Sequence, residues 1–87
     1  MNVVDVKAAI ESIISDPVDI RIEGADCSFT AVVISQEFDG VLPVKRQQKI
    51  LAVFADKLKT GELHALTVKA HTPKEWQKMH SDTLVTL

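Results

Sequence analysis

The sequence predicts an α+β domain with the element order α-β-β-α-β-α, and three observations support that prediction. An apolar stripe with helical spacing opens the chain, and a longer helical pattern occupies residues 43–59. Three short stretches, at 18–23, 29–35 and 63–70, alternate polar and apolar residues or run apolar, as strands do. A short turn separates the first two stretches, whereas the long helix separates the last two.

The first helix is predicted over residues 2–14, with Asn2 as its N-cap and Asp16-Pro17 as its stop signal. The strand that follows alternates cleanly, which is typical of a strand with one buried face. Residues 24–26, Gly-Ala-Asp, then predict a turn into the second strand. The inner stripe of the first helix is Val6, Ala9, Ile10, Ile13 and Ile14.

The strand at 29–35 is apolar on both faces, which favours a central position in the sheet. Its short connection to the first strand predicts an antiparallel pair. Its long helical connection to the third strand predicts a parallel pair with a right-handed crossover. We therefore expect a three-stranded mixed sheet of order 1-2-3, with the helices packed on one face.

The second half of the chain predicts the long helix over 43–59 and a strand that runs directly into a last helix. Thr72 and Glu75 form a capping box, and Pro73 occupies the first helical position, where its missing N–H costs nothing. His64 begins the third strand, in phase with its apolar row. The expected inner stripe of the long helix is Val44, Gln48, Leu51, Phe54, Ala55 and Leu58.

Composition limits the possible roles of this protein. With 87 residues we expect one domain over 1–87, with 81–87 as a frayed tail. The net charge of −2 and the pI of about 5.8 are unlike a typical polyanion-binding domain. Cys27 is the single cysteine, so no intrachain disulfide can form, which fits a reducing compartment. We expect a cytoplasmic protein without a secretory signal or a membrane span.

Cys27 and His64 are the candidate metal ligands. Each lies at the start of one of two parallel neighbouring strands, and such strand ends share one sheet edge, with strands about 4.8 Å apart. A thiolate and an imidazole suit zinc, copper or iron–sulfur iron. Two ligands do not complete a site, so a second molecule would have to supply the others. The alternative is a histidine bonded to backbone at the core edge, beside a small buried cysteine.

Lys45, Arg46 and Lys49 form a basic cluster at the start of the long helix. The cluster would suit nucleic-acid phosphates or an acidic partner surface; the alternative is a solvated helix face. The chain has no GXXG loop of the kind that clamps RNA in KH domains. It also has no Ser–His–Asp arrangement, P-loop or dinucleotide fingerprint, so we do not expect an enzyme.

Four segments together resemble the BolA family, in particular its short IbaG-like branch. They are FDG at 38–40, VKRQQKI at 44–50, GELHA at 61–65 and TPKEW at 72–76. The resemblance covers roughly residues 3–79. It implies the element order derived above and a fold similar to type II KH domains, here without the GXXG loop.

The resemblance also implies a function. BolA-like proteins pair with monothiol glutaredoxins and share a [2Fe–2S] cluster supported by glutathione, so the isolated chain should hold none. The family's ligand histidine falls on His64. The usual second ligand falls on Ser28, and Cys27, one place earlier, can replace it. Alone, the chain should be a monomer or a weak homodimer. The alternative function is a DNA-binding transcriptional regulator of stress response and cell morphology that uses the 43–59 helix.

Overall fold

The computed structural model describes residues 2–26 and 28–85, and for 80–85 it describes only the helical backbone. The predicted element order is confirmed. The helices and strands are α1 (Val3–Glu11), β1 (Pro17–Ala25), β2 (Ser28–Ser35), a 3₁₀ turn (Gln36–Phe38), α2 (Pro43–Val53), α3 (Ala55–Thr60), β3 (Ala65–His71) and α4 (Pro73–Val85).

The described strands form one sheet in the predicted order β1-β2-β3. β1 and β2 are antiparallel, and β2 and β3 are parallel, with Ser28 opposite Ala65 and Phe29 opposite Leu66. β2 is therefore central, as its two apolar faces predict, and β3 is an edge strand. One face of the sheet carries the main core, which buries Ile20, Phe29, Ala31, Val33, Val68 and Ala70 beneath Val6, Ile10, Ile50 and Phe54.

The caps at the helix starts are those that the sequence predicts. The Asn2 side chain accepts from the Asp5 N–H at 2.9 Å, and the Asp5 carboxylate accepts from the Asn2 N–H. Thr72 and Glu75 exchange the corresponding bonds at 3.1 and 3.0 Å. α1 nevertheless ends at Glu11 rather than continuing to residue 14.

The prediction of one helix over 43–59 was wrong in its continuity and in part of its inner face. Phe54 is buried and Leu51 and Leu58 pack against the core as predicted. The helix breaks at Phe54, whose backbone (φ −102°, ψ 8°) leaves the helical region while its ring, 1% exposed, enters the core. The most deeply buried positions are Arg46, Ile50 and Phe54, which follow one another at intervals of four residues. Val44, expected on the inner stripe, is 54% exposed. Core packing of Ile50 and Phe54 sets this rotation, and it carries Arg46 inward.

Two strand boundaries also differ from prediction. β1 continues through Gly24 to Ala25, which pairs with Ser28, so the expected 24–26 turn is shorter. β3 begins at Ala65, two residues later than predicted, because Leu63 is fully buried and ends the preceding loop. The expected tail at 81–87 is helical as far as Val85.

α4 departs from the expectation that all helices pack on one face. Its Trp76 ring lies against Arg21 and His71, which occupy strand positions alternate to the core-facing ones. Ile34, 2% exposed, occupies the same opposite face. No helix in the described part of the chain is long and apolar enough to span a bilayer.

Candidate functional site

His64 is an exposed residue held between two fixed points of the backbone. Before it, Gly61 ends α3 in the left-handed conformation (φ 85°), and the Leu63 N–H donates to the Lys57 carbonyl at 3.1 Å. After it, Ala65 begins β3. The alternation of the strand places His64 in phase with Leu66 and predicts that it faces the core. It does not, because the preceding residue, Leu63, is the one that is buried. The chain thus presents its imidazole to solvent from an anchored segment.

For the described residues, the structure confirms the prediction that β2 and β3 begin at the same edge of the sheet. Ser28 opens β2 opposite Ala65, so the residue before Ala65 lies at the same edge as the start of β2. Neighbouring strands are about 4.8 Å apart, which is a distance that two ligand side chains can bridge. Cys27, the other predicted ligand, lies outside the described residues.

A shallow polar depression of about 390 Å³ lies next to this edge, on the sheet face opposite the core. Its floor is a row of short side chains across the three strands, so it offers room for atoms of another molecule. It is lined by Glu23, Gly24, Ser28, Phe29, Thr30, Ala65 and Thr67.

Metal chemistry at this edge needs ligands from outside the described part of the chain. Within that part, no three His, Cys, Asp or Glu side chains are grouped so that they could hold a metal ion. His64 offers one imidazole, a ligand that suits borderline metals. Its exposure allows a second molecule to approach and complete a coordination sphere.

Arg46, predicted to be part of an exposed basic cluster, is instead a buried structural residue. Its side chain is 6% exposed. Nε donates to the Val41 carbonyl at 2.7 Å, Nη1 to the Ala70 carbonyl at 3.1 Å, and both terminal nitrogens to the Glu75 carboxylate at 2.7 and 3.1 Å. Nearly all its donor capacity is therefore used inside the fold, so it is not available to phosphates or to a partner.

The Glu75 carboxylate joins the cap of α4 to this arginine. The hydrogen bonds from Arg46 and from the Thr72 N–H favour the charged form and lower the pKa of Glu75 from 4.5 to about 2. The sequence predicted the capping box but not the ion pair between Glu75 and Arg46. Arg46 and Glu75 are 29 residues apart, and no local pattern connects them.

The two lysines of the predicted cluster differ in their surroundings. Lys49 donates to Glu37 at 2.6 Å, and the same carboxylate accepts from the Ser15 N–H at 2.7 Å. Lys45 is exposed and makes no ion pair with any described residue. The structure therefore does not keep the three cations together as one accessible patch.

Fold and site together define a small α+β domain built on one mixed sheet, with an exposed imidazole at the edge of its parallel strand pair. A family model described as BolA-like protein matches residues 11–75. That is more than half of the chain, and the chain therefore belongs to the BolA family, as its motifs indicated.

Relatives of known sequence agree. The chain is 36% identical over 72 residues to an uncharacterized protein of Haemophilus influenzae, covering 79% of this chain and 85% of that one. It is 28% identical over 60 residues to the acid stress protein IbaG of Escherichia coli, covering 69% and 71%. It is 33% identical over 60 residues to the DNA-binding transcriptional regulator BolA of Vibrio cholerae, covering 69% and 56%.

Solved structures show the same fold. A bol-like protein from Babesia bovis matches with a TM-score of 0.75 and 26% identity, covering 92% of this chain and 94% of that one. A BolA homologue from Coxiella burnetii matches with a TM-score of 0.73 and 28% identity, covering 88% and 97%. The BolA domain of SufE1 from Arabidopsis thaliana gives 0.71 and 31%, covering 83% and 92%.

Proposed function

We propose that this protein is an adaptor that pairs with a monothiol glutaredoxin in the cytoplasm and contributes ligands to a shared [2Fe–2S] cluster. His64 supplies one ligand from this chain, and Cys27 is the candidate for the second. The remaining ligands come from the glutaredoxin and from glutathione. The pair then serves cluster delivery or the sensing of iron and stress.

The observation that carries this proposal is the position of His64. It is exposed, it follows a buried anchor at Leu63, and it lies at the edge where β2 and β3 both begin. The alternative considered from the sequence, a histidine at the core edge bonded to backbone, is less well supported, because His64 is exposed and makes no hydrogen bond to a described residue. An exposed imidazole on a fixed backbone can serve a ligand site that a partner completes.

The number of ligands that this chain can supply suits a cluster shared with a partner better than a cluster held by this chain alone. A [2Fe–2S] cluster takes four protein or thiol ligands, and histidine replaces cysteine at some of them in known clusters. With the His64 imidazole and the Cys27 thiol as this chain's candidate ligands, two positions remain for the partner side. When bound, the cluster would supply electron transfer or transferable iron and sulfide; this chain's residues hold and orient it.

The test is reconstitution of the full chain with a monothiol glutaredoxin, iron, sulfide and glutathione. We expect a heterodimer with visible charge-transfer absorption. His64→Ala should alter that spectrum or shorten the lifetime of the cluster, because an imidazole ligand is lost. His71→Ala is the matched control. It removes a histidine from the far end of β3, roughly 20 Å away, and should leave the spectrum unchanged.

Cys27→Ser completes the comparison, and we expect a smaller effect than that of His64→Ala. An unchanged spectrum in His64→Ala would remove His64 as a ligand. A larger loss in Cys27→Ser than in His64→Ala would reverse their order. Failure of all variants and wild type alike to form a coloured complex would refute the adaptor proposal itself.

A DNA-binding regulator is the second candidate, favoured by the name of the Vibrio cholerae relative. It would use α2 and the lysines at its start. The burial of Arg46 and the pairing of Lys49 with Glu37 weigh against it, because they leave Lys45 as the one unpaired cation of the predicted cluster among the described residues.

A further inference from the structure

A second open site lies at the other end of β3. A groove of about 550 Å³ runs along the outer edge of this strand, between the start of α2 and the start of α4. Its floor is the segment 68–71 of β3, and its walls include Pro43 and Met79. The chain next to Pro43 is apolar and exposed, with Leu42 at 65% and Val44 at 54%.

The floor of the groove carries unpaired main-chain groups. Among the described strands, β3 has a neighbour, β2, on one side only. Arg46 reaches the Ala70 carbonyl from α2, so this carbonyl points away from β2. Because the N–H and C=O of one strand residue point the same way and alternate between successive residues, Ala70 N–H and both main-chain groups of Val68 face the groove. Since they face away from β2, a partner would have to come from a helix or loop, and none of the described helices or loops makes a backbone hydrogen bond to them.

The charge on the groove is positive. The carboxylate that lines it, Glu75, is neutralised by its two bonds to Arg46. Lys69 remains, exposed and without an ion pair to any described residue, on the face opposite Val68 and Ala70. An opposite charge on an added strand directly beside Lys69 would be stabilising.

We propose that this groove binds a short extended peptide segment of a partner protein by strand addition to the edge of β3. The peptide alternates apolar and acidic side chains. Its acidic residues lie beside Lys69, and its apolar residues lie on the Val68 side, towards Pro43. Main-chain bonds to Val68 and Ala70 give affinity, and the alternation gives specificity.

Arg46 limits the length of the added strand. It occupies the Ala70 carbonyl, so three main-chain groups are open within the groove floor: the Val68 N–H, the Val68 C=O and the Ala70 N–H. Pairing could extend beyond them only towards Leu66. A blocked end also protects an exposed edge from indiscriminate pairing with other chains. The site is separate from the proposed cluster function, because Val68 and Ala70 lie four and six residues beyond His64 along the strand, roughly 13 and 20 Å away.

The test is an NMR titration of the isotope-labelled full-length chain with the acetylated, amidated peptide Val-Glu-Val-Glu-Val. We expect shifts and slowed hydrogen exchange at the Val68 and Ala70 amides. The peptide Val-Lys-Val-Lys-Val should bind at least tenfold more weakly. An acidic peptide N-methylated at alternate amides should lose binding, because it cannot pair with the strand edge.

Two charge reversals test the acidic preference. Lys69→Glu should abolish or invert the preference for the glutamate peptide. Lys59→Glu makes the same charge change on α3, away from the groove lining, and should leave the preference intact. The N-methylated peptide tests pairing on the wild-type chain and does not depend on the folding of either variant.

Three outcomes would overturn the proposal. One is the absence of protection at Val68 and Ala70 with the acidic peptide. Another is equal binding of the methylated and unmethylated peptides. The third is tighter binding of a single-stranded deoxythymidine oligonucleotide than of the acidic peptide at the same amides, which would make the groove a nucleic-acid site.

Discussion

Arg46 is the residue on which the packing of the second half of the chain depends. Its guanidinium holds the loop before α2 through Val41, the edge of β3 through Ala70 and the start of α4 through Glu75. It also lies over the Phe38 ring, 5.7 Å from the ring centroid. A planar fork of donors can serve several acceptors at fixed angles, which a lysine could not do.

At the residue scale, the contribution of the Arg46–Glu75 ion pair to stability can be tested by changing Glu75. Glu75→Gln keeps one oxygen acceptor for Arg46 but removes the charge, so we expect a loss of about 1 kcal/mol in the free energy of unfolding at pH 7. The value is at the low end for a charged bond because the Glu75 side chain is 45% exposed and water screens the pair. Urea denaturation measures it.

The same pair predicts a pH dependence. The pKa of Glu75 falls from 4.5 to about 2 on folding, so its stabilising contribution is complete above about pH 4.5. It is lost as the pH falls towards 2. The difference in unfolding free energy between wild type and Glu75→Gln should therefore shrink over that window. Glu11→Gln, which removes an exposed carboxylate that pairs with no described residue, is the matched control and should not reproduce this change. A difference that stays constant down to pH 2.5 would contradict the lowered pKa.

At the element scale, the β1–β2 hairpin depends on a close approach of its two strands. Gly24, at φ 132°, lies opposite Phe29, and a Cβ at this position would be 2.2 Å from the Ser28 carbonyl oxygen. The obstacle is backbone of the start of β2, next to the edge that carries His64. No flexible side chain can move aside to relieve it.

We therefore expect Gly24→Ala to cost about 3 kcal/mol or more, since both strain and overpacking act at once. Gly61→Ala is the matched control. Gly61 is also left-handed, but nothing lies within 4 Å of its added Cβ, so the backbone strain of about 1 kcal/mol should be the whole cost. Thermal or urea unfolding compares the two. Equal losses would show that the hairpin tolerates the extra carbon.

At the scale of the whole molecule, β3 carries both of the proposed interaction surfaces. Its start presents His64, and its far end forms the floor of the groove beside α2 and α4. The central strand β2 holds β3 in register along its whole length. The two proposed surfaces, one for a cluster-bearing partner and one for a peptide segment, are therefore separate on this strand.

The overall charge leads to a prediction about DNA. With a net charge of −2 and the Arg46 guanidinium buried, we expect no gel shift of a random-sequence duplex at about 0.15 M salt with up to about 10 μM protein. Any binding at lower salt should decrease in Lys45→Ala, with a salt slope smaller by about one unit. A shift at about 0.15 M salt and submicromolar protein would restore the regulator as a leading candidate.

The sequence by itself determined the element order, the strand directions, the capped starts of α1 and α4, and the candidacy of His64. Each of these follows from local patterns: alternation, cap residues and the length of each connection. Tertiary structure decided the rest. The inward rotation of α2, the burial of Arg46 against Glu75, the exposure of His64 beside buried Leu63 and the free edge of β3 all depend on contacts between residues distant in the chain. Periodicity within one segment carries no information about such contacts, because packing against other elements selects which face of that segment is buried.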